Sequence, residues 1–181
     1  MLGGALAASI WGEPRSTQDV DFVINLQPEQ IPRLSEALAR RNILLPADLM
    51  LDQLLETRGD VALVCYHTSA GFKAELFPLR PNDELRASAL ARRVRVERQP
   101  PLGGVYLHSP EDLILYKLIY YDISAQTKHL RDIASILAAR GPELDRAYLK
   151  QWVERLNLQP VWKHMLDEAR ARGTHFPAWE E

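Results

Sequence analysis

The spacing of apolar residues changes at Ser109, and this change constrains the fold more than any other feature of the chain. After Ser109 the apolar residues recur at helical spacing, and Ser109 followed by Pro110 is typical of a helix N-cap. Further helices are predicted over residues 127–139, 142–157 and 160–172. We therefore predict that residues 109–173 form a helical segment packed on a preceding core, and that residues 174–181 form a frayed tail.

Before Ser109, strand-like and helix-like patterns follow one another. Apolar runs predict a strand over residues 20–26 and an antiparallel hairpin over 61–67 and 72–79. The helical pattern covers residues 28–41, 47–57 and 83–91, a short helix precedes Trp11, and a strand is expected around residues 94–96. These patterns predict an α+β fold in which residues 1–108 form the core, a mixed sheet flanked by helices.

Composition and charge exclude several classes of protein. The chain has 22 basic and 24 acidic residues, so its net charge of -2 gives no overall attraction to nucleic acid or to an anionic membrane. No apolar stretch reaches the roughly 20 residues that a membrane span needs, so no membrane partner is expected. The single cysteine, Cys65, lies in a strand-like run and is expected to pack in the core. A reducing, cytoplasmic compartment fits best.

A local basic stretch stands out in this near-neutral chain. It consists of Arg86, Arg92, Arg93, Arg95 and Arg98. Such a stretch is able to contact RNA or another nucleic acid. The interspersed valines fit a solvated strand face at least as well.

Two aspartates open the first predicted strand. Asp19 and Asp21 flank Val20, and the two-residue period of a strand places both carboxylates on the same side. The two charges repel each other unless a cation neutralises them, and hard oxygen ligands favour Mg²⁺ or Mn²⁺. The alternative is a solvated strand end. Upstream, Gly3 and Gly4 form a turn whose backbone amides are able to approach a phosphate at a helix N-terminus, although an ordinary tight turn explains them too.

Two further charged groups lie among apolar neighbours. Glu75 needs a partner, which is either a metal shared with Asp19 and Asp21 or a hydroxyl group that it deprotonates. The alternative is a salt bridge to Lys73, or a position on an exposed strand face. Lys117 is the only charge between Leu113 and Tyr121, so it needs an anion, and Asp132 on the following helix is a candidate. An ion pair between two helices, or a lysine that reaches the solvent, is the alternative to a binding role.

Together these motifs resemble the polymerase-beta-type nucleotidyltransferase superfamily, and more narrowly its small bacterial AbiEii-like and minimal members. The opening motif runs from Gly3-Gly4 to Asp19-Val20-Asp21-Phe22, the strand Lys73-Ala74-Glu75-Leu76-Phe77 matches the one that carries the third carboxylate, and the segment from Ser109 with Lys117 and Asp132 is similar to the AbiEii-like helical motif. The resemblance implies a nucleotidyltransferase-like sheet followed by helices.

The resemblance also implies a chemistry. A nucleoside monophosphate would pass from a nucleoside triphosphate to a hydroxyl group of an RNA or protein acceptor. Asp19, Asp21 and Glu75 would hold two Mg²⁺ or Mn²⁺ ions and act catalytically, and Glu75 would take the hydroxyl proton. Gly3 and Gly4 would bind the triphosphate, together with Lys117, Asp132 and Arg15. A loop arginine such as Arg15 is more often solvated.

The chain departs from the family pattern in three ways. The strand that usually leads into the glycines is almost absent, the interval between Gly4 and Asp19 is slightly long, and the third carboxylate is Glu75 where an aspartate is usual. The alternative hypothesis is therefore an inactive module of the same fold that acts by binding a protein partner, as in toxin-antitoxin systems.

Overall fold

The computed structural model describes residues 1–56, 60–176 and 179, and the chain divides into two compact units. Unit 1 comprises Met1–Leu6 and Ser16–His108, and unit 2 comprises Ala7–Arg15 and Ser109–Glu181. The fold is α+β, as predicted, with a mixed sheet in unit 1 and helices in unit 2. Among the described residues, no helix combines the length and the apolar character that a membrane span requires.

Unit 1 is built on a four-stranded sheet with the strand order β1-β4-β3-β2. The strands are β1 (Asp19–Ile24), β2 (Ile43–Leu44), β3 (Leu63–His67) and β4 (Lys73–Pro78). The predicted hairpin is confirmed, since β3 and β4 pair antiparallel. By contrast, β4 pairs parallel with β1, which places the last of these strands between the first and the third.

One face of this sheet forms the core of unit 1. Leu63, Cys65 and Leu76 are buried on it and pack against residues of α2 (Ile31–Ala39) and α3 (Ala47–Leu55). The core position predicted for Cys65 is confirmed, with 2% of its surface exposed. Because side chains alternate along a strand, the residues between these positions point to the other face. Val64 and Tyr66 of β3 are exposed there, so part of that face is open to solvent.

A second, two-stranded sheet completes unit 1. It consists of β5 (Val94–Glu97) and β6 (Gly104–Leu107), which pair antiparallel after α4 (Glu84–Ala91). Leu2 forms isolated bridges with both Phe22 of β1 and Leu107 of β6. The sequence prediction missed β6, because Pro100-Pro101 and Gly103-Gly104 indicated only a connection.

Unit 2 packs three helices around α5 (Pro110–Ser124). These are α6 (Thr127–Arg140), α7 (Arg146–Arg155) and α8 (Gln159–Ala171), and the end of α1 (Gly4–Trp11) also belongs to this unit. The predicted N-cap is confirmed, since the Ser109 hydroxyl accepts a hydrogen bond from the backbone N–H of Asp112. Eight consecutive residues of α5, from Glu111 to Leu118, are buried. This helix is therefore the core of unit 2.

Several predicted helices end or begin differently in the structure. The helix predicted over residues 28–41 is divided into a 3-10 helix at Pro28–Gln30 and α2, which ends at Ala39. The helix predicted over residues 142–157 starts only at Arg146, because Gly141–Glu143 form a 3-10 turn and Asp145 caps α7 by accepting from the backbone N–H of Tyr148. In α3, Leu55 is the last helical residue. Thr57, the predicted end of α3, lies outside the described residues, as do residues 177, 178, 180 and 181 of the predicted frayed tail.

Candidate active site

Three carboxylates lie on one face of two adjacent strands. In the parallel register of β1 and β4, Asp19 pairs with Lys73 and Asp21 pairs with Glu75. The two-residue period then places all four side chains on the face opposite the core. Asp19 and Asp21 both lie on β1, so their side chains point to the same side, as predicted. The register with β4 places Glu75 beside Asp21.

Lys73 joins two of these carboxylates. Its Nζ lies 2.8 Å from Glu75 Oε1 and 3.5 Å from Asp19 Oδ1. The hydrogen bond to Glu75 raises the pKa of Lys73, and the charges of Glu75 and Asp19 act in the same direction. The salt bridge considered for Glu75 is thus present, and it reaches Asp19 as well. We refer to Asp19, Asp21, Lys73 and Glu75 as the acid row.

The glycine turn lies directly against the acid row. The backbone N–H of Gly3 donates to the carbonyl oxygen of Asp21 at 2.8 Å, and α1 begins at Gly4. Gly4 has a φ of 57°, and a Cβ built on it would overlap the carboxylate of Asp21. Only glycine meets both conditions without strain. The turn therefore places a helix N-terminus, with its positive end of the backbone dipole, next to Asp21.

The donor atoms of the acid row are carboxylate oxygens, the type of ligand that Mg²⁺ and Mn²⁺ prefer. Carboxylate oxygens are hard ligands, and the Lys73 ammonium already draws two of the three carboxylates toward one positive charge. Within the described ranges, no three or more acidic, histidine or cysteine side chains are arranged as a ready-made metal site. Mg²⁺ is commonly held by one or two carboxylates together with substrate phosphates, so the residues fit a cation that arrives with a nucleotide.

The other predicted binding residues form a separate cluster in unit 2. Lys117 Nζ lies 2.7 Å from Asp132 Oδ2, and 6% and 4% of the two side chains are exposed. Arg15 donates two hydrogen bonds to the same carboxylate, from Nε at 2.8 Å and from Nη2 at 3.1 Å. The expected anion of Lys117 is therefore Asp132, as predicted. The Arg15 guanidinium is thus held by a buried carboxylate while 29% of its side chain stays exposed, and its role in binding the triphosphate stays a prediction.

The charges of this cluster shift two pKa values. Burial acts to raise the pKa of Asp132, but the hydrogen bond from Arg15 and the charge of Lys117 outweigh it and lower this pKa. Burial lowers the pKa of His129 to about 4, and the positive charges of Lys117 and Lys128 add to the effect. At neutral pH, Asp132 is thus charged and His129 is neutral.

The predicted basic stretch is not one continuous surface. Arg86 is 2% exposed and pairs with Asp60 and Asp83, so it belongs to the interior of unit 1. Arg95 pairs with Glu97 on the same strand, at 2.9 Å. The position of Arg86 in the first turn of α4 was the signal that separates it from the other four arginines, of which Arg95 lies on β5.

Solved structures of nucleotidyltransferases share this architecture. The crystal structure of ANT(2'')-Ia in complex with adenylyl-2''-tobramycin superimposes with a TM-score of 0.55, covering 86% of this chain and 87% of that chain at 16% identity. The chain has a nucleotidyltransferase-like fold. The solution structure of the antibiotic-resistance factor ANT(2'')-Ia matches this fold with a TM-score of 0.52 at 16% identity, over 90% of this chain and 86% of that chain.

A third similar structure is the crystal structure of an antigenic nucleotidyltransferase-like protein from Paracoccidioides brasiliensis. It matches with a TM-score of 0.50 at 16% identity, over 92% of this chain and 83% of that chain. No protein-family model and no curated protein matches the chain. The structural similarity confirms the predicted type of fold, while membership of the superfamily and the narrower AbiEii-like assignment stay predictions.

Proposed function

We propose that the chain is a metal-dependent nucleotidyltransferase that transfers a nucleoside monophosphate from a nucleoside triphosphate to a hydroxyl group of an RNA or protein acceptor. The observation that carries this proposal is the acid row on β1 and β4, set against the glycine turn at the start of α1. Carboxylates that bind a divalent cation and backbone amides that bind phosphate are what phosphoryl transfer requires within one site.

The chain's own residues would divide the work. The backbone amides at Gly3 and Gly4 would hold the phosphates at the start of α1, where the helix dipole favours negative charge. Asp19 and Asp21 would hold Mg²⁺ or Mn²⁺, which when bound supplies positive charge to the phosphates during the displacement. The acceptor hydroxyl would attack the α-phosphorus, the bond to pyrophosphate would break, and Glu75 would take the hydroxyl proton.

Arg15, Lys117 and Asp132 support this proposal less directly. Their contacts within unit 2 are those of a buried ion-pair cluster. Each cation is held by the same carboxylate, which stabilises unit 2 whether or not a nucleotide binds. Their predicted role in binding the triphosphate stays a prediction.

The test measures transfer of label from each of the four radiolabelled nucleoside triphosphates into RNA and protein of a lysate, with Mg²⁺ or Mn²⁺. The native chain is compared with the double variant Asp19→Asn plus Asp21→Asn. A matched control is Asp48→Asn plus Asp52→Asn, which removes the same charge from exposed positions of α3. We expect only the native chain and the control to incorporate label into RNA or protein of the lysate, and the labelled band identifies the acceptor class.

Two results would count against the proposal. Equal incorporation by the native chain and the Asp19/Asp21 variant would show that the acid row is not the site. If no protein incorporates label and calorimetry detects no triphosphate binding to the native chain, the fold has lost this activity. The partner-binding alternative then becomes the better explanation.

A further inference from the structure

Lys73 lies among the carboxylates of a proposed metal site, where a second metal ion would otherwise be expected. It is the register partner of Asp19, it shares a strand face with Glu75, and its Nζ contacts both carboxylates. About a third of its side chain, 34%, is exposed, so an outward, hydrated position was open to this flexible residue. Its ammonium is nevertheless directed at the acids.

The charges of the acid row favour one metal ion over two. Its three carboxylates carry three negative charges and Lys73 carries one positive charge, which leaves two negative charges. One divalent cation neutralises this remainder. A second divalent cation between Glu75 and Asp19 would stand close to the Lys73 ammonium, and two like charges a few ångströms apart repel strongly in a partly buried site.

The positions of the carboxylates lead to the same conclusion. Asp21 lies against the glycine turn, where the phosphates are proposed to bind, whereas the Glu75 carboxylate is engaged by Lys73. The side of the row next to the turn is thus the place for a cation that arrives with the nucleotide. The space between Glu75 and Asp19 already holds a positive charge that belongs to the protein, the Lys73 ammonium.

We propose that Lys73 takes the place of the second metal ion, so that the site works with one divalent cation and one lysine ammonium. This inference rests on the proposed function and specifies its metal requirement. Lys73 would be a positioning residue: it fixes the Glu75 carboxylate and keeps a second cation out. The acceptor hydroxyl would then approach Glu75 beside an ammonium group instead of a metal ion.

The test counts Mn²⁺ ions bound by the folded full-length chain. Protein is dialysed to equilibrium against Mn²⁺ and one of the four α,β-methylene nucleoside triphosphates, each tested separately, and free Mn²⁺ is measured by electron paramagnetic resonance. The Mn²⁺ that is bound to nucleotide in the protein-free compartment is measured as well and is subtracted from the Mn²⁺ found in the protein compartment. We expect about one Mn²⁺ per native chain and about two per Lys73→Met chain, because the variant removes the ammonium that lies between the Glu75 and Asp19 carboxylates.

Two control variants separate the charge of Lys73 from its other contributions. Lys73→Arg keeps the positive charge and is expected to bind about one Mn²⁺, as the native chain does. Lys150→Met removes the same charge from an exposed position of α7 and should also leave the count unchanged. Thermal unfolding of each variant shows that the count comes from folded protein, and Lys73→Gln provides a second neutral replacement if Lys73→Met unfolds.

The outcomes distinguish this inference from the function on which it rests. Two Mn²⁺ ions on the native chain, or an unchanged count in both neutral variants, would overturn the inference while the nucleotidyltransferase proposal stands. A native chain that binds neither Mn²⁺ nor nucleotide would overturn both. The inference is supported if the number of bound Mn²⁺ ions rises in Lys73→Met but not in Lys150→Met. A lysine with a merely structural role would not produce that rise.

Discussion

Replacement of Gly4 by alanine tests whether the glycine turn and Asp21 depend on each other. The φ of 57° at Gly4 lies in the left-handed region, where a residue with a Cβ costs about 1–2 kcal/mol. The new Cβ also overlaps the Asp21 carboxylate, and crowding of this kind costs roughly 1–3 kcal/mol more. We expect Gly4→Ala to lower the free energy of unfolding by about 2–5 kcal/mol.

Gly71 offers a matched control in the same unit. It also has a positive φ, 71°, but a Cβ on it meets nothing within 4 Å. Gly71→Ala should therefore show the backbone cost alone, about 1–2 kcal/mol. The difference between the two variants measures the clash with Asp21, free of the conformational term.

Urea unfolding followed by circular dichroism measures both stabilities, and calorimetry measures triphosphate binding at temperatures where both variants are folded. Gly4→Ala is expected to lose binding because Asp21 has to move, whereas Gly71→Ala is expected to keep it. If Gly4→Ala is no less stable than Gly71→Ala and binds triphosphate as the native chain does, the glycine is not required by the carboxylate and the proposed link between turn and site is wrong.

Two further predictions concern the charged cluster of unit 2. Asp132→Asn leaves Lys117 buried without its charged partner and should lower the free energy of unfolding by about 3 kcal/mol in urea titrations. Asp167→Asn, at the exposed pair with Arg170, should change this free energy by less than about 1 kcal/mol. Equal effects of the two variants would contradict a buried ion pair. His129 has a folded-state pKa of about 4, below the ordinary 6.5, so the unfolded chain binds more protons between these values and stability should fall as the pH drops through that window. Urea midpoints between pH 7 and pH 4 measure this fall, and its persistence in His129→Gln would show that another group is responsible.

The sequence predicts the acids of the site better than their surroundings. The face shared by Asp19 and Asp21 follows from the two-residue strand period, which depends only on local geometry. The double engagement of Lys73 does not follow from it, because its contact with Asp19 depends on a parallel register between strands far apart in the chain. The sequence suggested only the local pair of Lys73 with Glu75.

The same limit applies to the rest of the fold. The helices of unit 2 follow from their apolar spacing and caps, whereas β2, with two residues, is too short to show any period. The contact of Arg15 with Asp132 could not be predicted from local patterns, because the two residues come from segments far apart in the chain. Local patterns therefore predicted the elements, and contacts between distant segments decided which charges became buried.

The central position of β4 bears on how the protein is made. Of the four strands in its sheet, β4 leaves the ribosome last, yet it lies between β1 and β3. A nascent chain that ends before Lys73 contains both aspartates but lacks the strand that completes the acid row. Pairing across such a separation is slow, since a long loop must close before any contact forms. If the acid row binds a divalent cation as proposed, the growing chain should gain this affinity in one late step, when β4 inserts, and Mn²⁺ binding would report that step before α4, β5 and β6 complete unit 1.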